Sequence, residues 1–224
     1  PYLVYKNAIQ KEIKIKMYYQ IIAYLHKKSF FIQSEDMSFF ERQKENLLSL
    51  IQIRKDEFER MMKEFEFKKY KAPSGWMLVL NYYRIIEFLN QSRYYLSRYF
   101  ESVKEKKEIR LSLIYHHFDL NHIFVEQQKL ISIDQMKINY CIYDLVELFQ
   151  NQKDLYECVA LFDGYLEEID LYQEEKLLLL CLLSIVPHVS LNEDENNNIQ
   201  EMAKLICYMD GIVKIFKKIE IDEV

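Results

Sequence analysis

Glycine and proline are scarce: the 224 residues contain three of each, Gly75, Gly164 and Gly211, and Pro1, Pro73 and Pro187. Loops that cradle phosphate with backbone amides need several glycines within a few residues, and no two of these glycines are near each other. A self-contained P-loop or dinucleotide-binding domain is therefore excluded. Cysteine pairing is missing as well. Cys141, Cys158, Cys181 and Cys207 stand singly in apolar surroundings, without the spacing of a zinc or redox motif, and read as buried thiols of a reducing compartment. A cytoplasmic location is the expectation. No block of one charge occurs: 30 basic and 35 acidic residues are interleaved, for a net charge of -5, so no basic face points to nucleic acid or anionic lipid. Neither nucleic acid nor membrane is assigned as a partner, which leaves a protein or a small molecule. The most apolar run, Leu177 to Val186, is about half the length a membrane span needs and reads as a buried core helix. No signal-peptide pattern opens the chain. It begins at Pro1 rather than methionine, and the expectation is that an N-terminal segment has been removed or lies outside it.

What is present is apolar and aromatic. Half the residues are hydrophobic, and 18 Tyr and 14 Phe contribute most of the aromatic share. A chain of this length buries one substantial core without disulfides or metal, and a single domain over 1–224 is expected. Within it, 1–109 reads as long helices. Ile9, Ile13, Met17, Ile21, Ile22 and Leu25 recur at helical spacing between Asn7 and about Phe31. The polar break Gln33-Ser34-Glu35-Asp36 caps a second helix that runs to about Phe67. Ala72-Pro73-Ser74-Gly75 then starts a third, from Trp76 to about Lys107. The period changes over 110–135. Arg110–Tyr115, His122–Val125 and Leu130–Ile133 alternate as short strands, too few to stand alone, and form a ribbon carrying a loop. From 136 to 224 the chain returns to helices, at roughly 144–152, 154–169, 173–186 and 195–218. The fold class expected is mainly α with a small β-hairpin ribbon.

One stretch carries a chemical grammar: Tyr115-His-His-Phe-Asp-Leu-Asn-His-Ile-Phe-Val125, then Leu130-Ile-Ser-Ile-Asp134, then Ile142-Tyr-Asp-Leu145. In order and spacing it resembles the catalytic core of the aminoglycoside and choline phosphotransferase family, whose members carry H-G-D-L-x-x-x-N-I-L, a short hairpin, I-D-W or a relative, and Y-D-L opening a helix. Ala23-Tyr-Leu-His26 resembles the family's helix ahead of that core, and Ala72-Pro-Ser-Gly-Trp76 a segment of a divergent Firmicute-type subgroup of spore-coat kinase-like proteins. The resemblance implies a kinase-like C-terminal lobe whose N-terminal β lobe is not in this chain. In the family, phosphoryl transfer from Mg-ATP uses an aspartate to receive the substrate hydroxyl proton and an asparagine and a second aspartate to hold magnesium.

Laying Ile123-Phe124-Val125 on the family's strand puts His117 at the catalytic-aspartate position, His122 at the asparagine and Asp134 at the second metal ligand, with Tyr115 and His116 replacing the H-G. Magnesium prefers hard oxygen to imidazole, so the resemblance implies a degenerate, inactive domain serving as a binding or structural module. The alternative is an ATP-dependent phosphotransferase acting on a small hydroxyl- or amino-bearing substrate once a missing N-terminal lobe is supplied. A second register makes Asp119 the base but leaves Phe124 five residues later.

Other readings compete for the same residues. His116, His117 and His122 with Asp119 suggest a zinc-type site completed by Asp134, although neighbours on an extended chain point to opposite faces. Asp144 reads as a helix cap. His26 and His188 read as structural, with His26 at a helix end that tolerates a cation. The Tyr and Arg stripe of Tyr82, Tyr83, Arg84, Arg93, Tyr94, Tyr95, Arg98 and Tyr99 reads as a packed core and rim rather than a base-stacking surface.

Overall fold

The structure, a computed structural model, describes residues 2–70, 72–127, 129–152 and 155–219. It is mainly helical with a small antiparallel sheet. α1 (Tyr2–Ser29) buries Ile15, Tyr18, Tyr19, Ile22, Ala23 and His26. This face overlaps the expected stripe at Met17 and Ile22, both buried, and departs from it at Ile13, which is exposed. Ile13, Met17 and Ile21 line a groove of about 530 Å³ shared with Val125 and Leu130. The buried face mixes the rings of Tyr18 and Tyr19 with Ile15, Ile22 and Ala23, the rings burying the larger share of surface.

α2 (Met37–Phe67) begins at the expected place, with the Asp36 side chain accepting from Phe39 N at 2.9 Å. α3 (Pro73–Lys106) runs antiparallel to it, tied by Arg93 to Gln52 and by Tyr99 to Gln43. A Cβ on Gly75 would come within 2.7 Å of the Phe65 ring, so glycine is what lets the two helices close at their tip. α7 (Gln173–Ser184), buried from Leu177 to Ser184, packs most extensively on α3. It is the core helix that its unbroken leucine run predicts.

The sheet is larger than its sequence signal. β2 (Glu108–Ile114) lies between β1 (Phe31–Ser34) and β5 (Lys137–Asn139), in register Phe31↔Leu111 and Ser112↔Asn139. A separate hairpin joins β3 (Ile123–Phe124) to β4 (Lys129–Leu130). Leu130–Ile133 is therefore not one strand. Ser132 turns into the left-handed region at φ 63 and a 3₁₀ turn, Ile133–Gln135, follows. The α1 helix stops at Ser29 rather than Phe31, because the next residues pair with β2 instead. β1 has all four residues exposed, and an edge strand without a buried face leaves no alternation to read.

Arg110 locks this sheet to α7. Its guanidinium lies between the Phe30 and Tyr172 rings, 4.2 and 3.8 Å from their centroids, and forks onto Glu175 with Nε–Oε1 at 2.9 Å. The fork and the stacked rings both need the planar group, and lysine supplies neither.

α4 (Ile142–Asn151) packs on α7. The helix expected over 154–169 has its first residue, with 153, outside the described residues. The remainder is two short pieces, α5 (Tyr156–Ala160) and α6 (Asp163–Leu166). The ladder slips at Phe162, whose amide bonds Val159 at i−3, and the Phe162 ring lies between Phe149 and Tyr165. α8 (Glu195–Phe216) closes the fold over α3. It carries Cys207 on its exposed side, unlike the other three cysteines, which are buried. Among the described residues no helix is long and apolar enough to cross a membrane. The Tyr and Arg stripe of α3 divides: Tyr99 is buried on Tyr140, Tyr95 packs on Phe216, and Tyr83 and Tyr94 stand in solvent.

Candidate functional site

The chain between β2 and β3, residues 115–122, is held from beneath by one carboxylate. Asp144 lies in the first turn of α4 and is fully buried. It does not cap α4. Oδ2 accepts from Tyr115 N and Oδ1 from His116 N, each at 2.8 Å. His116 sits at φ 52, a left-handed bend that turns two successive amides towards one acceptor, as in an anion-binding nest. The third bond to Asp144 comes from His26 Nε2 at 3.0 Å, while His26 Nδ1 lies 2.9 Å from Tyr165 Oη. His26, in the last turn of α1, is therefore structural, as expected. It is a buried connector from α1 to α4 and α6, with no exposed surface. Burying a carboxylate is tolerable only when its lone pairs are taken up, and here α1, β2, α4 and α6 jointly provide for that. Phe118 N adds a further tie, donating to Glu147 Oε1 at 3.2 Å.

Tyr115 carries the loop's next layer. It is fully buried, its ring meets Tyr18 edge to face, and its hydroxyl donates to Ile131 O. Burial, and then the fields of Asp119, Asp144, Glu147 and Asp134, push this phenol up to about 12. It stays protonated at neutral pH. Its single proton goes to Ile131, so the contact at 3.1 Å with His122 Nδ1 has the imidazole donating. The neutral His122 tautomer is thereby fixed with its proton on Nδ1 and a lone pair on Nε2. Ser132 Oγ lies 3.5 Å from that nitrogen.

The structure brings His117 and His122 together, with ring centroids 4.9 Å apart and planes inclined by 37°. It does not add His116, which turns to the other side, where Lys137 Nζ approaches its Nε2 at 2.7 Å and Glu147 Oε2 lies 3.7 Å from its Nδ1. The divergence from His117 is the expected one, but it comes from the left-handed bend at His116 rather than from strand alternation. Asp119 bends back to accept from Asn121 N at 2.8 Å, capping the 3₁₀ turn Leu120–His122. Asp134 is exposed and accepts from its neighbour Gln135 at 3.2 Å. The side chain standing against His122 is Ser132, two residues earlier.

Among the described residues no three His, Cys, Asp or Glu side chains gather as a metal cage. For magnesium the donor set facing inward is wrong: two imidazoles and a hydroxyl offer no hard anionic oxygen. Residues bearing on the site that the sequence reading passed over are Ser132, Lys137, Glu147 and the pairing of His26 with Asp144. For that pair a signal existed. His26 continues the helical face of Tyr18, Tyr19, Ile22 and Ala23, and Asp144 sits among Ile142, Leu145 and Val146, so each needed a buried partner.

No family model matches the chain, and no curated protein matches it either.

Proposed function

We propose that this chain is the helical lobe of a degenerate phosphotransferase-like domain, similar to the aminoglycoside and choline phosphotransferases, that no longer transfers phosphate and acts as a binding or structural module. One observation carries the reading. His117 and His122, five residues apart, face each other across the loop at 4.9 Å between ring centroids, at the positions where the resemblance calls for a carboxylate and an amide. Two supports accompany it. The elements follow the order the resemblance implies, from helix through strand, loop, hairpin and short turn to a helix opened by Tyr143-Asp144-Leu145. The residue beside His122 is a serine rather than an aspartate, so the second carboxylate is missing from the place where a metal-bound phosphate would need it.

The test is nucleotide binding and turnover by the purified chain and by the His117→Asp/His122→Asn double variant. The expected result is no thermal shift with Mg-ATP for the native chain, and no activity created by His117→Asp alone. A clear nucleotide-dependent shift of the native chain, or phosphorylation of an aminoglycoside, choline-like or sugar substrate, overturns the inactive reading.

A further inference from the structure

We infer that His117 and His122 form a two-imidazole binding site for a borderline transition cation of the Zn²⁺, Ni²⁺ or Cu²⁺ class. The inference rests on the geometry of the loop and not on the phosphotransferase kinship.

Three observations carry it. The first is separation. Imidazole nitrogens bind zinc at about 2.0–2.1 Å, so two rings sharing one tetrahedral ion have centroids roughly 5 Å apart. The observed separation is 4.9 Å, with the planes inclined rather than stacked. The second is the protonation pattern. Tyr115 gives its proton to the Ile131 carbonyl and takes one from His122 Nδ1, so in the neutral imidazole the lone pair is on Nε2. A ligating histidine ordinarily has its other nitrogen held in this way, which sets both ring orientation and basicity. The third is availability. His117 is exposed and has no hydrogen-bond partner among the described residues, and His122 Nε2 faces only the Ser132 hydroxyl at 3.5 Å, the outer limit of a hydrogen bond.

The site is open, since among the described residues no third protein ligand joins the pair. The remaining positions of the ion face solvent, so they are filled by water or by a donor group of a partner or small molecule. This makes the ion a point of attachment rather than a structural cage. Hard cations are disfavoured by the same donor set, because magnesium keeps to oxygen.

Calorimetric titration of the tag-free chain with Zn²⁺ and Mg²⁺, alongside thermal melts, tests the inference. Expected are saturable, one-to-one binding of Zn²⁺ with a rise in Tm and no response to Mg²⁺. His117→Ala and His122→Ala should each weaken Zn²⁺ binding by roughly tenfold or more, and His116→Ala should leave it unchanged. With Cu²⁺ as the probe, electron paramagnetic resonance should show coupling to two nitrogens, falling to one in either variant. The inference is overturned if the native chain fails to bind Zn²⁺, or if His116→Ala removes binding as fully as the other two. Loss of Zn²⁺ binding leaves the phosphotransferase reading untouched, and a nucleotide response would overturn that reading while leaving the metal site in place.

Discussion

The under-surface and the outer surface of the 115–122 loop are built differently. Underneath, Asp144 takes hydrogen bonds from Tyr115 N, His116 N and His26, with Asp144, Tyr115 and His26 all out of contact with solvent, and Tyr165 braces His26 from the far side. On top, His117 lies in solvent beside a half-exposed His122, and Asp119 and Asp134 do no more than serve their own local turns. The difference shows that the shape of the loop is imposed from below, by groups that could not be buried without one another. The outer side chains are under no such constraint, and they can change without disturbing the fold.

Substitutions below and above the loop test this contrast. Asp144→Ala should have the largest effect. It leaves two amides and a buried imidazole without an acceptor, and a cost of about 3–5 kcal/mol is expected in urea unfolding. A cost below about 1 kcal/mol would mean that the carboxylate is not what holds the loop. Tyr165→Phe removes only the hydroxyl beside His26 Nδ1 and should lower stability by about 1 kcal/mol. Its melting curve should keep the native cooperativity.

Glu147 should respond in the opposite direction. Burial raises its carboxyl above the usual carboxylate range despite the Phe118 amide, and its Oε2 has no hydrogen-bond partner. A raised carboxylate takes up its proton more readily in the folded chain than in the unfolded one. Its contribution therefore disfavours folding as pH rises from the ordinary value of 4.5 through the raised one. Glu147→Gln should accordingly be neutral or slightly stabilising at neutral pH, by about 0.5 kcal/mol at most, and the gain should vanish in melts below pH 4.5. The smallest effect belongs to the outer surface. His117→Ala should leave stability within about 0.5 kcal/mol of the native chain, and a larger loss would show that the two surfaces are mechanically one.

Much of the scaffold was legible from spacing alone. α2, α3, α7 and α8 fall within a few residues of where apolar periodicity and the Asp36 and Pro73 start signals put them, because long helices repeat their pattern enough times to be unmistakable. The β1 and β5 edges were not legible, since an exposed three- or four-residue strand is defined by its partner rather than by its own side chains. α1 was read as a helix with a stripe that is right at Met17 and Ile22 but misses Ile15, Tyr18, Tyr19 and Ala23 and includes the exposed Ile13, because apolar residues surround much of this helix until something packs on one side. Within the candidate site, the divergence of His116 from His117 was expected, while the meeting of His117 with His122 came only with the bend at His116 and the turn Leu120–His122. The capping role expected of Asp144 was wrong for a non-local reason: its carboxylate is reached by amides 28 and 29 residues earlier in the chain.

By itself the sequence determined the helical class, the absence of a glycine phosphate cradle and the imidazole chemistry of the loop, since these depend on residue types and short-range periods. Only the tertiary structure decided which groups meet: Asp144 with His26 across 118 residues, Ser132 rather than Asp134 beside His122, and Arg110 between two rings. The reason is that a buried polar group is compelled to find a partner but not told which one, and that choice is made only when helices distant in sequence close around it.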